Sequence, residues 1–401
     1  MALSCHLFLA HGRVCRIRGE NLSNQSPFSS ATTLDCEQSL HRILSKLECY
    51  KQSPLAALQS GRWVKLICGA SFEDIAEVRN LSLIYALAGV DCIDCAADGA
   101  VVTAVSDGVR AAKEIALDFG YSFRDPWLMV SINDDEDPHF RKAEFNPRLC
   151  PSDCPRPCER VCPASAISFS YPESSGVIPE RCYGCGRCIP VCPMRNIQAV
   201  TYVRNLEKVS ELLCLDEVDA VEIHTGQGRL EAFHQLVTNL GSSFDHLKLV
   251  AVSVPDLGDS MISSMTTMYE SMKPYVKCAN LWQLDGRPMS GDIGKGATRA
   301  AVILGGRVLA ALDRPPGFLQ LAGGTNSHTR EALELAGLVN NGNESMIAGI
   351  AGIAFGGYAR KIVCSLLKEL EATKSTRLED HPELLFKSIS VTGELVWPMK
   401  L

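Results

Sequence analysis

Residues 61–72 read Gly61-Arg62-Trp63-Val64-Lys65-Leu66-Ile67-Cys68-Gly69-Ala70-Ser71-Phe72, a short apolar run closed by a glycine turn. Such a run suits a strand buried on both faces of a parallel sheet. A stretch of helix length, Phe72–Ala88, follows it, and the alternation then recurs along the chain. The further candidate strands are Cys92–Ala96, Leu128–Ile132, Ala220–His224, Leu247–Val254, Cys278–Leu284, Phe318–Leu321 and Ile347–Phe355. Helix-length segments between them include Ser106–Phe119, Leu206–Cys214, Gly228–Leu240 and Thr329–Ala336. Eight strands with crossover helices predict an α/β fold, a TIM-like (β/α)8 barrel, with an open doubly wound sheet as the alternative.

One segment interrupts the alternation. Between the third and fourth strands lie Cys150, Cys154, Cys158 and Cys162, then Cys182, Cys185, Cys188 and Cys192, each run ending in Cys-Pro. The second run has the bacterial ferredoxin spacing C-x2-C-x2-C-x3-C-P, and Gly184 and Gly186 supply its tight turn. In that arrangement three cysteines share one cube and the fourth serves the other. Cys162, Cys182, Cys185 and Cys188 are thus the expected ligands of one [4Fe-4S] cluster, and Cys150, Cys154, Cys158 and Cys192 of a second. The first run is stretched to three-residue gaps, with Pro151, Pro155 and Pro157 to stiffen it. Structural zinc is the rival reading. Disulfides explain the block poorly in a chain of 401 residues, long enough to bury a core without them. The apolar stretches Ala166–Phe169 and Asn196–Val200 follow the two runs as a pseudo-symmetric pair that would shield the cubes.

The expected organisation is therefore a transit peptide and flexible extension at 1–52, the first part of the barrel at 53–144, a ferredoxin-like 2[4Fe-4S] insertion at 145–200, and the rest of the barrel with a C-terminal tail at 201–401. Composition is that of a globular protein, 46% apolar and 21% charged with formal net charge −7, and it does not suggest a nucleic-acid partner. No apolar stretch reads as a bilayer span. Residues 1–34 carry Arg13, Arg16 and Arg18 against Glu20, and are rich in Ser, Thr and Asn. That is the composition of an organellar transit peptide, or of a plain disordered tail.

The insertion falls on a βα loop, on the barrel face that carries active sites. Several strand ends there are polar. His224 and Glu222 share one strand face, and Asp94, Asp285 and Lys65 are further acid–base candidates; a buried Lys65 could form a Schiff base, though a surface or core-paired lysine is the expected reading. Gly323-Gly324 and Gly356-Gly357 end the last two strands, where barrels bind anions through backbone N–H groups; two tight turns would look the same. Gly291–Thr298 is glycine-rich but lacks the GxxxxGK[ST] order, so a nucleoside triphosphatase is rejected, and Lys295 is kept as a ligand candidate.

From about Pro54 onward the chain resembles the cyanobacterial light-dependent period protein family and its plant homologues. The resemblance rests on Gly61–Phe72, Leu87–Asp94, Asp153–Cys158 and Gln320–Asn326. It implies an iron–sulfur protein tied to redox input into the circadian clock, with ligands at the eight cysteines above, and it brings no settled reaction. The N-terminal extension departs from the bacterial pattern and suits a plant gene product imported into the chloroplast stroma. Three functions follow: a redox sensor or adaptor read by a protein partner; an oxidoreductase passing electrons to a flavin or small anionic substrate at the barrel mouth; or clusters that only staple the loop.

Overall fold

The computed structural model describes residues 52–162, 164–169, 176–287, 295–340 and 349–400, together with His41 and Ser45. The expected leader at 1–52 lies almost wholly outside the described residues, as does Gly291–Gly294. Strands β1 (Trp63–Gly69), β2 (Cys92–Ala96) and β3 (Trp127–Asn133) come first. An excursion then carries β4 (Arg141–Glu144), β5 (Ile167–Ser168), β6 (Gly176–Val177) and β7 (Gln198–Thr201). Strands β8 (Ala220–His224), β9 (Leu249–Pro255), β10 (Ala279–Asp285), β11 (Phe318–Ala322) and β12 (Gly352–Phe355) complete the set. β1, β2, β3 and β8 to β12 pair in that order, all parallel, and β12 closes on β1 through Val64 opposite Ile353. All eight expected strands are therefore present, and they form a closed TIM-like barrel with flanking helices rather than an open sheet.

Local chemistry sets the helices. The Asp74 carboxylate accepts from Glu77 N at 3.0 Å and starts the helix Ile75–Ala88, which stops at Gly89 in the left-handed region with φ 91°. Asp98, polar at the end of β2, is a helix cap for Gly99–Asp118, accepting from Ala100 N at 2.9 Å. Alternation along the strands divides the barrel interior. Its N-terminal half is apolar, with Trp63, Trp127, Met129, Leu249 and Leu281 packed together under the capping helix Pro54–Gln59. Its C-terminal half is polar. Lys65, Asp94, Ser131, Glu222, Ser253, Gln283 and Gln320 are all buried there.

β4 pairs antiparallel with β7, and this ribbon ties off the excursion at its base, with β4 just before residue 145 and β7 straddling residue 200. Asn133 fastens it to the barrel by donating to Tyr202 O at 2.8 Å.

Candidate functional site

The two cysteine runs fold alike. Short helices Pro157–Val161 and Cys188–Val191 end at Cys162 and Cys192, whose backbones match at φ −74°, ψ 111° and φ −71°, ψ 113°. Three residues on, Ser165 and Arg195 both take left-handed conformations, at φ 49° and 51°. Each turn aims the next N–H at the thiol: Ala166 N lies 3.2 Å from Cys162 Sγ and Asn196 N 3.4 Å from Cys192 Sγ. A third N–H, from Ala143 in β4, meets Cys182 Sγ at 3.3 Å.

Cys162, Cys182, Cys185 and Cys188 surround one small cavity of about 20 Å³, with Gly184 and Gly186 in its wall. Both glycines have positive φ, 72° and 73°. A Cβ on Gly184 would fall 2.3 Å from Arg141 O, so the close approach of β4 excludes a side chain there. Burial pushes the Cys188 thiol up to about 12, and burial also raises Cys162. In the other set, burial raises Cys158, with Cys192 and Cys150 close enough to add to the shift. Soft thiols gathered from both runs, each set crossing between them and supplied with N–H···S bonds, fit a cuboidal iron–sulfur cluster.

A second cavity, of about 510 Å³, opens at the C-terminal ends of the barrel strands. It reaches from Asp94, Glu222, His224, Gln283 and Asp285 at the floor to Cys162, Cys185 and Tyr183 at the side. Of the sequence candidates, His224, Gly323, Gly324, Gly356 and Gly357 all border it. Lys295 opens the short turn Lys295–Ala297 ahead of the helix Thr298–Ala310; its side chain lies outside the description.

The two glycine pairs differ physically. Gly323 and Gly324 have φ of 67° and 100°, and a Cβ on either would sit 2.6 Å from a carbonyl oxygen, of Arg287 and of Ala297. Turn sterics alone account for them. Gly357 faces open space and begins the helix Gly357–Ala372, whose first turn has no side-chain cap. Gly357, Lys361, Cys364 and Lys368 border the cavity at helical spacing, and both lysines are solvent-exposed. This cationic helix face, together with Arg360, was readable as a period in the sequence, but not which way it pointed.

The floor is a connected polar network. Lys65 Nζ donates to Glu222 Oε2 and lies 4.0 Å from Asp94 Oδ2. Gln283 Nε2 donates to Glu222 Oε1 at 2.8 Å, and His224 Nε2 lies 3.1 Å from the same oxygen. Ser131 Oγ donates to Asp94 Oδ1 at 2.7 Å, while Asp94 Oδ2 has no hydrogen-bond partner. Burial lifts Asp94 to about 7, outweighing the attraction of Lys65. Burial opposes ionisation of Glu222 too, but Lys65 and His224 hold it down at about 2. Lys65 is raised despite burial, because Glu222 and Asp94 stabilise its charge, so it is a paired ammonium and not an amine free for Schiff-base chemistry. Asp94 is left as a buried carboxyl that changes protonation near neutral pH beside the cavity.

Two family models match the chain: the Light dependent period A C-terminal domain over residues 212–398, and the LdpA Fe-S cluster-binding domain over residues 150–203. The Light dependent period A protein of Synechococcus elongatus is 45% identical over 349 residues, which span 86% of this chain and 94% of that one. Among solved structures, the carboxyl transferase domain of Rhizobium etli pyruvate carboxylase matches at 11% identity and TM-score 0.36, over 90% of this chain and 51% of that chain. A truncated 3-deoxy-D-arabino-heptulosonate 7-phosphate synthase from Thermotoga maritima matches at 11% identity and TM-score 0.33, over 78% and 87%. Likenesses this slight carry no inference about chemistry. No helix among the described residues is long and apolar enough to cross a membrane.

Proposed function

We propose, from the premise that this chain belongs to the light dependent period A family, that it is an iron–sulfur redox sensor whose input is a small molecule in the barrel mouth. Two [4Fe-4S] clusters are assigned, one to Cys162, Cys182, Cys185 and Cys188, the other to Cys150, Cys154, Cys158 and Cys192. The clusters supply one-electron chemistry. The protein's own part is to bind the small molecule and to manage a proton. Asp94, poised near neutral pH, gives or takes that proton at Oδ2, which makes no hydrogen bond and lies 4.0 Å from the Lys65 ammonium. Lys361, Lys368 and the N-terminus of the helix Gly357–Ala372 favour an anionic end on the molecule.

The observation that carries this reading is that one cavity is bordered by two cysteines of the first-named set and by Asp94, Glu222 and His224. A free-standing electron carrier has no use for such a chamber. Oxidoreductase activity, with a flavin or a small anionic substrate in the mouth, shares the first step with sensing and parts from it only at turnover. Passing the state of the clusters to a protein partner, as in redox input to a circadian clock, belongs to the same proposal. So does import into a chloroplast stroma, which rests on the composition of residues 1–34. A fluorescent fusion of residues 1–52 tests it: stromal fluorescence supports import, and cytosolic fluorescence removes it.

The test of the functional reading is an anaerobic redox titration followed by spin resonance. Gly357→Trp places a large side chain in the open mouth. It should change the signal and midpoint of one cluster and leave the other as in the wild type. Clusters blind to a filled mouth would end the link between cavity and iron.

A further inference from the structure

We infer that Asp137, His139 and His224 form a binding site for one divalent transition-metal ion at the barrel mouth, separate from the eight cysteines. One ligand atom from each lies within 4.8 Å of the other two. Asp137 and His139 come from the loop after β3, and His224 ends β8, so the direct pairing of these two strands brings the three together.

The group is built rather than incidental. Asp137 is 7% exposed and His224 5%. His139 Nδ1 lies 2.8 Å from Asp137 Oδ1. Phe140 packs edge-on against the His224 ring at 5.2 Å between centroids, and the His139 ring sits 4.9 Å from the same ring. Ser71 Oγ donates to the His139 carbonyl and is itself held by Tyr202 Oη at 2.9 Å. Glu222 Oε1 stands 3.1 Å from His224 Nε2, the carboxylate support that metal-bound imidazoles ordinarily keep on their second nitrogen.

The chemistry of the set selects the ion. Two imidazoles with one carboxylate suit zinc, manganese or ferrous iron, and are the wrong donors for magnesium or calcium. Local charge is mixed: Arg229 Nη1 lies 3.7 Å from Asp137 Oδ2 and Lys65 balances Glu222, while Asp285, which burial raises, accepts from Ser253 and Gln283, so the donor set and its geometry carry the site. His139 and His224 both border the 510 Å³ cavity, so remaining coordination positions would open into it. A small anion entering past Lys361 and Lys368 would meet the ion there.

The experiment uses the full-length, iron-loaded protein, dialysed anaerobically against Zn2+ and analysed for zinc and iron separately. The expected result is one zinc per chain above the iron, with affinity falling by roughly tenfold or more in His139→Gln and in Asp137→Asn while iron content is unchanged. Zinc uptake that is absent, or equal in those variants, overturns the inference. Mn2+ gives a second reading on the wild type alone, so a misfolded variant cannot obscure the outcome. With the clusters oxidised, bound Mn2+ should show spin coupling to imidazole nitrogen, and its lack overturns the site.

Discussion

Cys185 and His224 border the same cavity, although one belongs to the excursion after β3 and the other ends β8. That relationship separates this protein from a barrel with a ferredoxin attached to its surface. A cluster held by Cys185 would stand next to the chamber that Asp94 borders.

Asp94 gives the account a pH dependence with a definite sign. Burial raises this carboxyl to about 7 in the folded chain. The folded state therefore holds a proton that the unfolded state has released, and the contribution of Asp94 to stability is full below about pH 4 and lost as pH rises to about 7. Asp94→Asn does not titrate. Its unfolding midpoint should gain on the wild type across that window and keep a constant offset above it. Equal pH slopes for the two proteins would refute the assignment.

Lys65 and Glu222 form a fully buried pair. Glu222→Gln leaves the Lys65 charge with only Asp94, at 4.0 Å, and should cost about 3–5 kcal/mol. Replacing both by apolar residues, Lys65→Met with Glu222→Leu, should cost less than the two single losses added together. Urea unfolding of the wild type, Lys65→Met, Glu222→Leu and the double variant, followed by tryptophan fluorescence, checks the coupling. Simple additivity would mean that the pair does not act as a unit.

Two glycines should respond in opposite ways. Gly184→Ala puts a Cβ 2.3 Å from Arg141 O at φ 72°. It should destabilise by at least about 1 kcal/mol and loosen the cluster held by Cys182, Cys185 and Cys188. Gly357→Ala meets no atom within 4 Å and should stay within about 0.5 kcal/mol of the wild type. Thermal unfolding with iron analysis reads both effects, and a harmless Gly184→Ala would contradict the packing described.

Much of the barrel was legible because its strands are buried on both faces and read as apolar runs such as Leu249–Val252. The closure of β12 on β1 was not, since pairing between residues so far apart leaves no local mark. The cysteine spacing suggested the grouping of Cys162 with Cys182, Cys185 and Cys188, which line one small cavity, while the assignment of two clusters stays a proposal. The polar floor was harder. Asp94, Glu222 and Asp285 each look like one polar residue at a strand end, a position where Asp98 proves to be a helix cap. Only ring closure turns the first three inward together. His139 was invisible for the same reason: its partner His224 is brought beside it by the pairing of β3 with β8.

The most direct test of the central claim is the metal content and spin resonance of the anaerobically purified protein, as wild type, Cys185→Ser and Cys154→Ser. The wild type should carry about eight iron atoms per chain and give signals from two interacting clusters on reduction with dithionite. Each variant should retain about four and lose the interaction. Zinc in the cysteine nests, or iron that dithionite does not reduce, would contradict the account.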